Sequence, residues 1–277
     1  MHAETTDDER ADFRRHGAEG VLLLGGGAAI LLQLADPRVA RGVAKHSGFR
    51  ERPLDRLFGT LDYVYAIGFG DERLAAEAVR AVNRLHAPVR GDADGGRPAY
   101  SAFDADAQRW VASTLLAVAL TLHERLEGPL PAATADGIVR GYAPLGGRLQ
   151  AAGEGWPETR AEFDDWWHER LVALEVGDEA RTVARSLLTG SSALPLGAGV
   201  LLPFVRLMTA ALLPAPVRAA YGFRWTPRVE RVANGWLGVI ATVWPLLPRA
   251  IRHAPMRASL RRAERRSRYA GTEPRGR

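Results

Sequence analysis

Pro53-Leu-Asp-Arg56-Leu-Phe-Gly59-Thr60-Leu-Asp-Tyr63-Val-Tyr-Ala-Ile-Gly-Phe-Gly70 reads as one amphipathic helix. Leu54, Leu57, Phe58, Leu61, Val64 and Ile67 recur at spacings of three and four, the period of a buried helical stripe. Pro53 suits a first helical turn, and Gly68 and Gly70 end the run. Gly59 interrupts the pattern. Inside a helix a glycine costs about 1 kcal/mol relative to alanine, and it is kept where something must approach the backbone closely. Arg56, Thr60 and Tyr63 share one stripe beside it. Two readings stay open. The stripe is solvated, with Arg56 paired to Asp55 or Asp62, or Gly59 is a side-chain-free patch between a guanidinium and a hydroxyl. The second would admit a ring system and donate hydrogen bonds to carboxylates or oxygen.

The next helix follows directly. Asp71 is a good N-cap and Glu72 lies in the first turn. Leu74, Ala75, Ala78, Val79, Val82 and His86 share its inner side. Pro88 disfavours helix at Ala87, so His86 belongs to the last turn. A histidine there is either a core residue bonded to a backbone carbonyl or a ligand, with Nδ1–H on a carbonyl and Nε2 turned to a metal. The chain has no cysteine, so disulfides, iron–sulfur clusters and thiolate-bound metals are excluded. Histidine is then the axial ligand available to a haem iron, and Arg90, in His86-Ala-Pro-Val-Arg90, would neutralise a propionate.

Working outward, the rest reads as helix. Leu22, Leu23, Ile30, Leu31 and Leu34 mark an apolar helix closed by Asp36-Pro37. Residues 91–102 form a Gly/Pro-rich loop. Asp104 caps a long helix to about Leu126, apolar on nearly every side from Val111 to Leu122, as a central core helix is. Trp156-Pro157 opens another, and further helices are expected near 178–189, 197–212, 215–221 and 226–243. No alternating strand pattern, internal repeat or dividing linker is found. The fold class expected is all-α, a single multi-helix domain over 18–265, with a flexible N-terminal segment 1–17 and a basic disordered tail 266–277.

The 277 residues are 47% hydrophobic and 25% charged, enough for one large core. The net charge of +5 is uneven: from Arg249 onward ten arginines face two glutamates, which leaves the rest of the chain at −3. No basic face is visible in the body, so no nucleic acid is expected as a partner. The tail would be solvated or would meet anionic lipid or the acidic body, with Arg249 to about Arg262 as a last helix. Val21 to Leu34 is too short for a bilayer span, which needs about 20 residues, and Ala193 to Leu213 is broken by Pro195, Pro203 and Arg206. Both read as buried helices. A cytoplasmic protein with no signal peptide or transmembrane helix is expected, at most peripheral to a membrane.

Other polar residues read more blandly. His46 belongs to a loop. His123 and Glu124 are adjacent and face different directions, with no HExxH motif. His168 caps or lines the core. Gly25-Gly26-Gly27 is no phosphate loop, because no Gly-Lys-Ser/Thr follows.

An ordered string resembles the MpaB-type oxygenases, relatives of the rubber oxygenase (latex clearing protein). It comprises Gly20-Val-Leu-Leu-Leu24, His46-Ser-Gly-Phe49, Arg56-Leu-Phe-Gly-Thr60, Phe69-Gly70, His86-Ala-Pro-Val-Arg-Gly91, Tyr100-Ser-Ala102, Trp110-Val111, Leu212-Leu-Pro214, Trp225 and Pro248-Arg249. The resemblance implies a globin-like helical core carrying haem b, with His86 as proximal ligand and metal site. It implies Arg56 and Thr60 as distal catalytic residues, and Gly59, Tyr63 and Arg90 in the haem pocket. It also implies O2 as co-substrate and oxidation of a double bond in an apolar, isoprenoid-type small molecule. Two departures stand out. Gly59 occupies the position where the rubber oxygenase can carry a distal lysine, and Ala112 stands where relatives carry a histidine after Trp-Val. The alternative kept beside this is a non-catalytic haem or lipid carrier on the same fold, associated with a membrane surface.

Overall fold

The computed structural model describes residues 7–46, 53–151, 155–189 and 198–270, with side chains over 11–46, 57–151, 155–189 and 199–268. The chain begins with α1 (Asp7–Gly17), a 3-10 turn at Gly20–Gly25 and α2 (Gly26–Leu34). Asp36-Pro37 closes α2, as expected, and also opens α3 (Pro37–His46), where Asp36 accepts the Arg38 N–H at 2.9 Å. The stretch from Pro53 is α4 (Pro53–Phe69), and α5 (Glu72–His86) follows, with Asp71 accepting the Leu74 N–H at 2.7 Å. Residues 91–102 are more ordered than a loop. β1 (Arg90–Gly91) pairs antiparallel with β2 (Tyr100–Ser101). Buried Arg41 holds this hairpin by donating to the Pro98 and Asp92 carbonyls.

Asp104 caps α6 (Ala105–Glu127) by accepting the Ala107 N–H at 2.8 Å. The chain continues through α7 (Ala132–Gly147), α8 (Arg160–Val172) and α9 (Asp178–Thr189), then α10 (Leu202–Leu212), α11 (Ala215–Ala220) and α12 (Pro227–Val243). It ends in α13 (Arg249–Arg252) and α14 (Ala254–Ala270). Helix α7 had no counterpart in the sequence reading. Helix α8 starts at its Thr159 cap rather than at Trp156-Pro157. The architecture is all-α, with one two-stranded ribbon among the described residues.

Helix α6 is the axis of the core. Trp110, Leu116, Leu120 and Leu122 are almost fully buried on it, each contributing about 1.5–3 kcal/mol by burial. One side packs on α2, α10 and α12, the other on α1, α7 and α8. Trp110 stacks on Trp167 at 5.1 Å between ring centres and donates its indole N–H to the Leu32 carbonyl at 3.1 Å. Two glycines of the triplet, Gly25 and Gly27, form a packing seam. A Cβ on Gly25 would collide with Val118, and one on Gly27 with Thr209.

Both expected ends of the domain need revision. Residues 7–17 are not a flexible segment but a helix whose Phe13 is buried against Phe69 and Tyr142; residues 1–6 lie outside the description. The basic tail is helical through Ala270, not disordered from residue 266. The Asp62 carboxylate, on α4, accepts from Arg262 at 2.8 Å and from Arg266 at 3.1 Å. Residues 271–277 are outside the description.

Candidate functional site

Helices α3, α4, α5 and α6, the hairpin and α14 enclose a cavity of about 720 Å³, well within the size of small-molecule sites. Its walls are largely apolar. Leu74, Ala78, Val82 and His86 reach it from α5 at intervals of four, the inner stripe the sequence implied. Gly59, Thr60, Asp62 and Tyr63 reach it from α4, and Val111, Ala112 and Leu115 from α6. Ala263, Arg266 and Ser267 of α14 complete the wall, held there by the Asp62 pairs.

Four of the singled-out residues thus share one cavity: Gly59, Thr60, Tyr63 and His86. Gly59 is not a point of close helix packing, since a Cβ there would meet nothing within 4 Å among the described residues. The helix face it opens looks into space that a ligand can use. Tyr63 donates its hydroxyl to the Leu145 carbonyl at 2.6 Å, and burial pushes its phenol up beyond the ordinary range. It presents a ring, with its hydroxyl committed to α7. His86 is half-buried at the end of α5, its Nδ1 shielded from solvent, with Phe103 edge-on at 6.4 Å. Arg90 is exposed on β1 and stands outside the cavity lining. Helix α4 includes Arg56 in its backbone, and the Arg56 side chain lies outside the description. The pairing of Arg56 with Asp62 has a rival in the structure, where Arg262 and Arg266 take that carboxylate.

Several cavity residues were missed or misread. His46 is not a loop residue. It ends α3, lines the cavity, and its Nε2 lies 2.9 Å from the Tyr100 hydroxyl. Buried Gln108 donates to the Ala102 carbonyl at 2.7 Å and to Gln150 at 2.5 Å, fixing the hairpin to the start of α6. Glu77 brings a carboxylate to the lining, with Oε1 accepting from Arg73 at 3.2 Å. Arg38, Arg80, Arg84 and Arg266 also border it. The period of α5 could have pointed to Glu77, which neighbours Leu74 and Ala78. Gln108 and His46 carry no such signal, because their partners are distant in sequence.

A second polar cluster lies elsewhere, where α1 meets the last turn of α6. His123 is 1% exposed, Glu127 follows one turn later, and His16 reaches them from α1. Burial and the neighbouring His123 hold His16 below the ordinary imidazole range. The neighbouring His123 holds the Glu127 carboxyl below its usual value. His168 is exposed on α8 and neither caps nor lines the core.

Among the described residues, no single helix is long and apolar enough to cross a membrane. No solved structure matches the chain. Two uncharacterized mycobacterial proteins do: Rv2237 of Mycobacterium tuberculosis and Mb2261 of Mycobacterium bovis. Each is 31% identical over 226 residues, which is 80% of this chain and 88% of the relative. Residues 13–243 match the family described as ER-bound oxygenase mpaB/B'/Rubber oxygenase, catalytic domain. That span runs from Phe13, buried at the foot of the core, to the end of α12, and takes in the α3–α6 wall of the cavity. The chain therefore belongs to the family of MpaB and rubber-oxygenase catalytic domains.

Proposed function

We propose that this chain is a haem b-dependent oxygenase that uses O2 to oxidise a double bond in an apolar, isoprenoid-type substrate. The observation that carries the reading is the cavity of about 720 Å³, which brings His86 of α5 and the Gly59–Thr60 face of α4 to one apolar space. The residues present suit a haem. An imidazole stands at a helix end, a glycine opens the facing helix, and guanidinium groups border the cavity to meet propionates. Arg80 and Arg84 are better placed for that than Arg90, which the lining omits, while Arg38 is held by Asp36, Asp104 and Asp106 and Arg266 by Asp62.

Haem, when bound, supplies the redox chemistry. The chain supplies the rest. His86 would hold the iron. Thr60, with Arg56, would direct hydrogen bonds to negative charge that develops on oxygen. Gly59 adds no side chain to the cavity wall. The aliphatic walls from α5 and α6 would exclude water and orient a substrate that has no polar handle. Ala112 offers no proton, and Asp62 and Glu77 are carboxyl groups of the lining.

The test is reconstitution of purified protein with haemin. A Soret band is expected in the wild type and its loss in His86→Ala. An unchanged spectrum in that variant removes His86 from the reading. O2 uptake with alkene substrates then separates an oxygenase from the carrier, which would show the haem band without uptake.

A specific surface supports a second reading, peripheral contact with anionic membrane. Val232, Trp236, Val239 and Val243 are exposed on one side of α12, and Leu246 and Ile251 continue the patch. Arg228, Arg231 and Arg249 lie along the same segment. An apolar face with tryptophan and flanking arginine suits a lipid interface, a natural source of an apolar substrate. Flotation with vesicles containing anionic lipid tests this. Binding that survives Trp236→Glu would reject the patch.

A further inference from the structure

We propose that His16, His123 and Glu127 form a site for a divalent transition-metal ion, with zinc the best match, that fastens α1 to the last turn of α6. The side chain of His123 is 1% exposed, and neither ring nitrogen has a hydrogen-bond partner among the described residues. The nearest approach is Glu127 Oε1, 3.5 Å from Nδ1, at the margin of hydrogen bonding. A buried donor or acceptor left without a partner is destabilising. Such a group calls for an explanation, of which a bound ion is one.

The surroundings favour an ion. Ligand atoms from all three residues lie within 4.8 Å of one another. The two imidazole centres are 4.8 Å apart with their planes at 89°. Two imidazoles sharing one tetrahedral ion, with Zn–N of about 2.0–2.1 Å, place their centres about 5 Å apart. The spacing already present is close to what coordination needs. Glu127 sits four residues after His123, on the same helix face. Two nitrogens and one carboxylate oxygen are a donor set that zinc accepts with water in the fourth position. Glu127 is half-exposed and opens that position to solvent. Arg15 opposes a cation here, while Asp12 and Glu127 favour one. None of the three ligands lines the large cavity, so the proposal stands apart from the haem reading.

The experiment uses the full chain, treated with a chelator, dialysed, and titrated with Zn2+ against a chromophoric competitor. One equivalent is expected to bind. Glu127→Gln and His16→Ala should each weaken binding at least tenfold, while His86→Ala should bind as the wild type does. Thermal melting should rise with Zn2+ in the wild type and not in the first two variants. Glu127 is half-exposed and His16 only partly buried, so the test does not depend on a His123 variant that fails to fold. Cobalt(II) added in place of zinc should give tetrahedral d–d bands that His16→Ala abolishes. Failure of the wild type to take up an equivalent would overturn the proposal. So would wild-type affinity in both Glu127→Gln and His16→Ala, or loss of binding in His86→Ala.

Discussion

The two halves of α6 face opposite conditions. Its first half, from Ala107 to Leu115, walls a cavity large enough for a sizeable ligand. Its second half, from Val118 onward, is packed so closely that the neighbouring chain must be glycine at Gly25. Glycine serves both regions and for opposite reasons. At Gly25 and Gly27 a methyl group would strike a neighbour, whereas at Gly59 it would meet nothing among the described residues. The packed half holds the molecule together. The hollow half, where apolar surface is left without protein partners, is the part available for chemistry.

The largest effect on stability is expected from forcing the packed half. Gly25→Ala drives a Cβ into Val118 and should cost about 2–3 kcal/mol, toward the top of the range for overpacking. Denaturant unfolding measures it, and a neutral result would mean that the seam is looser than its geometry.

Next comes the rim of the hollow half. Asp62→Asn removes the charge that anchors Arg262 and Arg266. Because Arg266 is largely exposed, the loss should be about 1–2 kcal/mol. It should also raise hydrogen exchange in α14 before any change in α6. Uniform exchange throughout would show that α14 is not a separately held wall.

A smaller effect belongs to pH. His16 titrates below its ordinary 6.5 and Glu127 below its ordinary 4.5 when folded. In both cases the unfolded chain binds the proton more readily, so stability falls as pH is lowered. The decline should begin as pH drops through the ordinary imidazole value and continue through the carboxylate range. Asp12 and Glu127 raise the His16 value, while His123 and Arg15 lower it further. Melting temperature against pH for the wild type and His16→Ala checks this. A variant profile with the same slope above pH 5 would show that His16 does not contribute.

Gly59→Ala reverses the sign of the first experiment. With open space around the new methyl group, only the helix propensity changes, and stability should rise by up to about 1 kcal/mol. A loss of stability would contradict the hollow reading of this face. The smallest effect is expected for truncation after Arg268, which keeps Arg262 and Arg266 on Asp62 and should leave the melting temperature unchanged.

The local physics was legible early. The three-and-four spacing of α4 and α5, the caps at Asp71 and Asp104, and the apolar middle of α6 all act within a few turns of chain. Helix α7 escaped because Gly137, Gly141, Pro144 and Gly147 weaken its propensity; it is held by packing on α1 and α6 instead. Helix α1 escaped for a related reason. Its composition is polar, and among its described side chains Phe13 is the one that meets the deep core. The arginine-rich end read as a solvated tail because its partner, Asp62, lies two hundred residues away.

The candidate site divides in the same way. Gly59 and His86 stood out as local anomalies, a glycine in a helix interior and a histidine on an apolar stripe. That His46, Gln108 and Glu77 join them around one cavity is a matter of how α3, α5 and α6 pack. The i to i+4 step from His123 to Glu127 was present in the chain, but His16 comes to it only when α1 docks.

By itself, then, the sequence determined that this protein is helical, where most of its helices begin, and which face of each turns inward. It also excluded thiolate chemistry outright. Those properties follow from hydrogen bonds and hydrophobic period within one or two turns. The tertiary structure alone decided which glycines are packed and which face a cavity, where the basic C-terminus is neutralised, and which histidines share a neighbourhood. Those outcomes depend on volumes and charges contributed by segments far apart in the chain, and no local pattern records them.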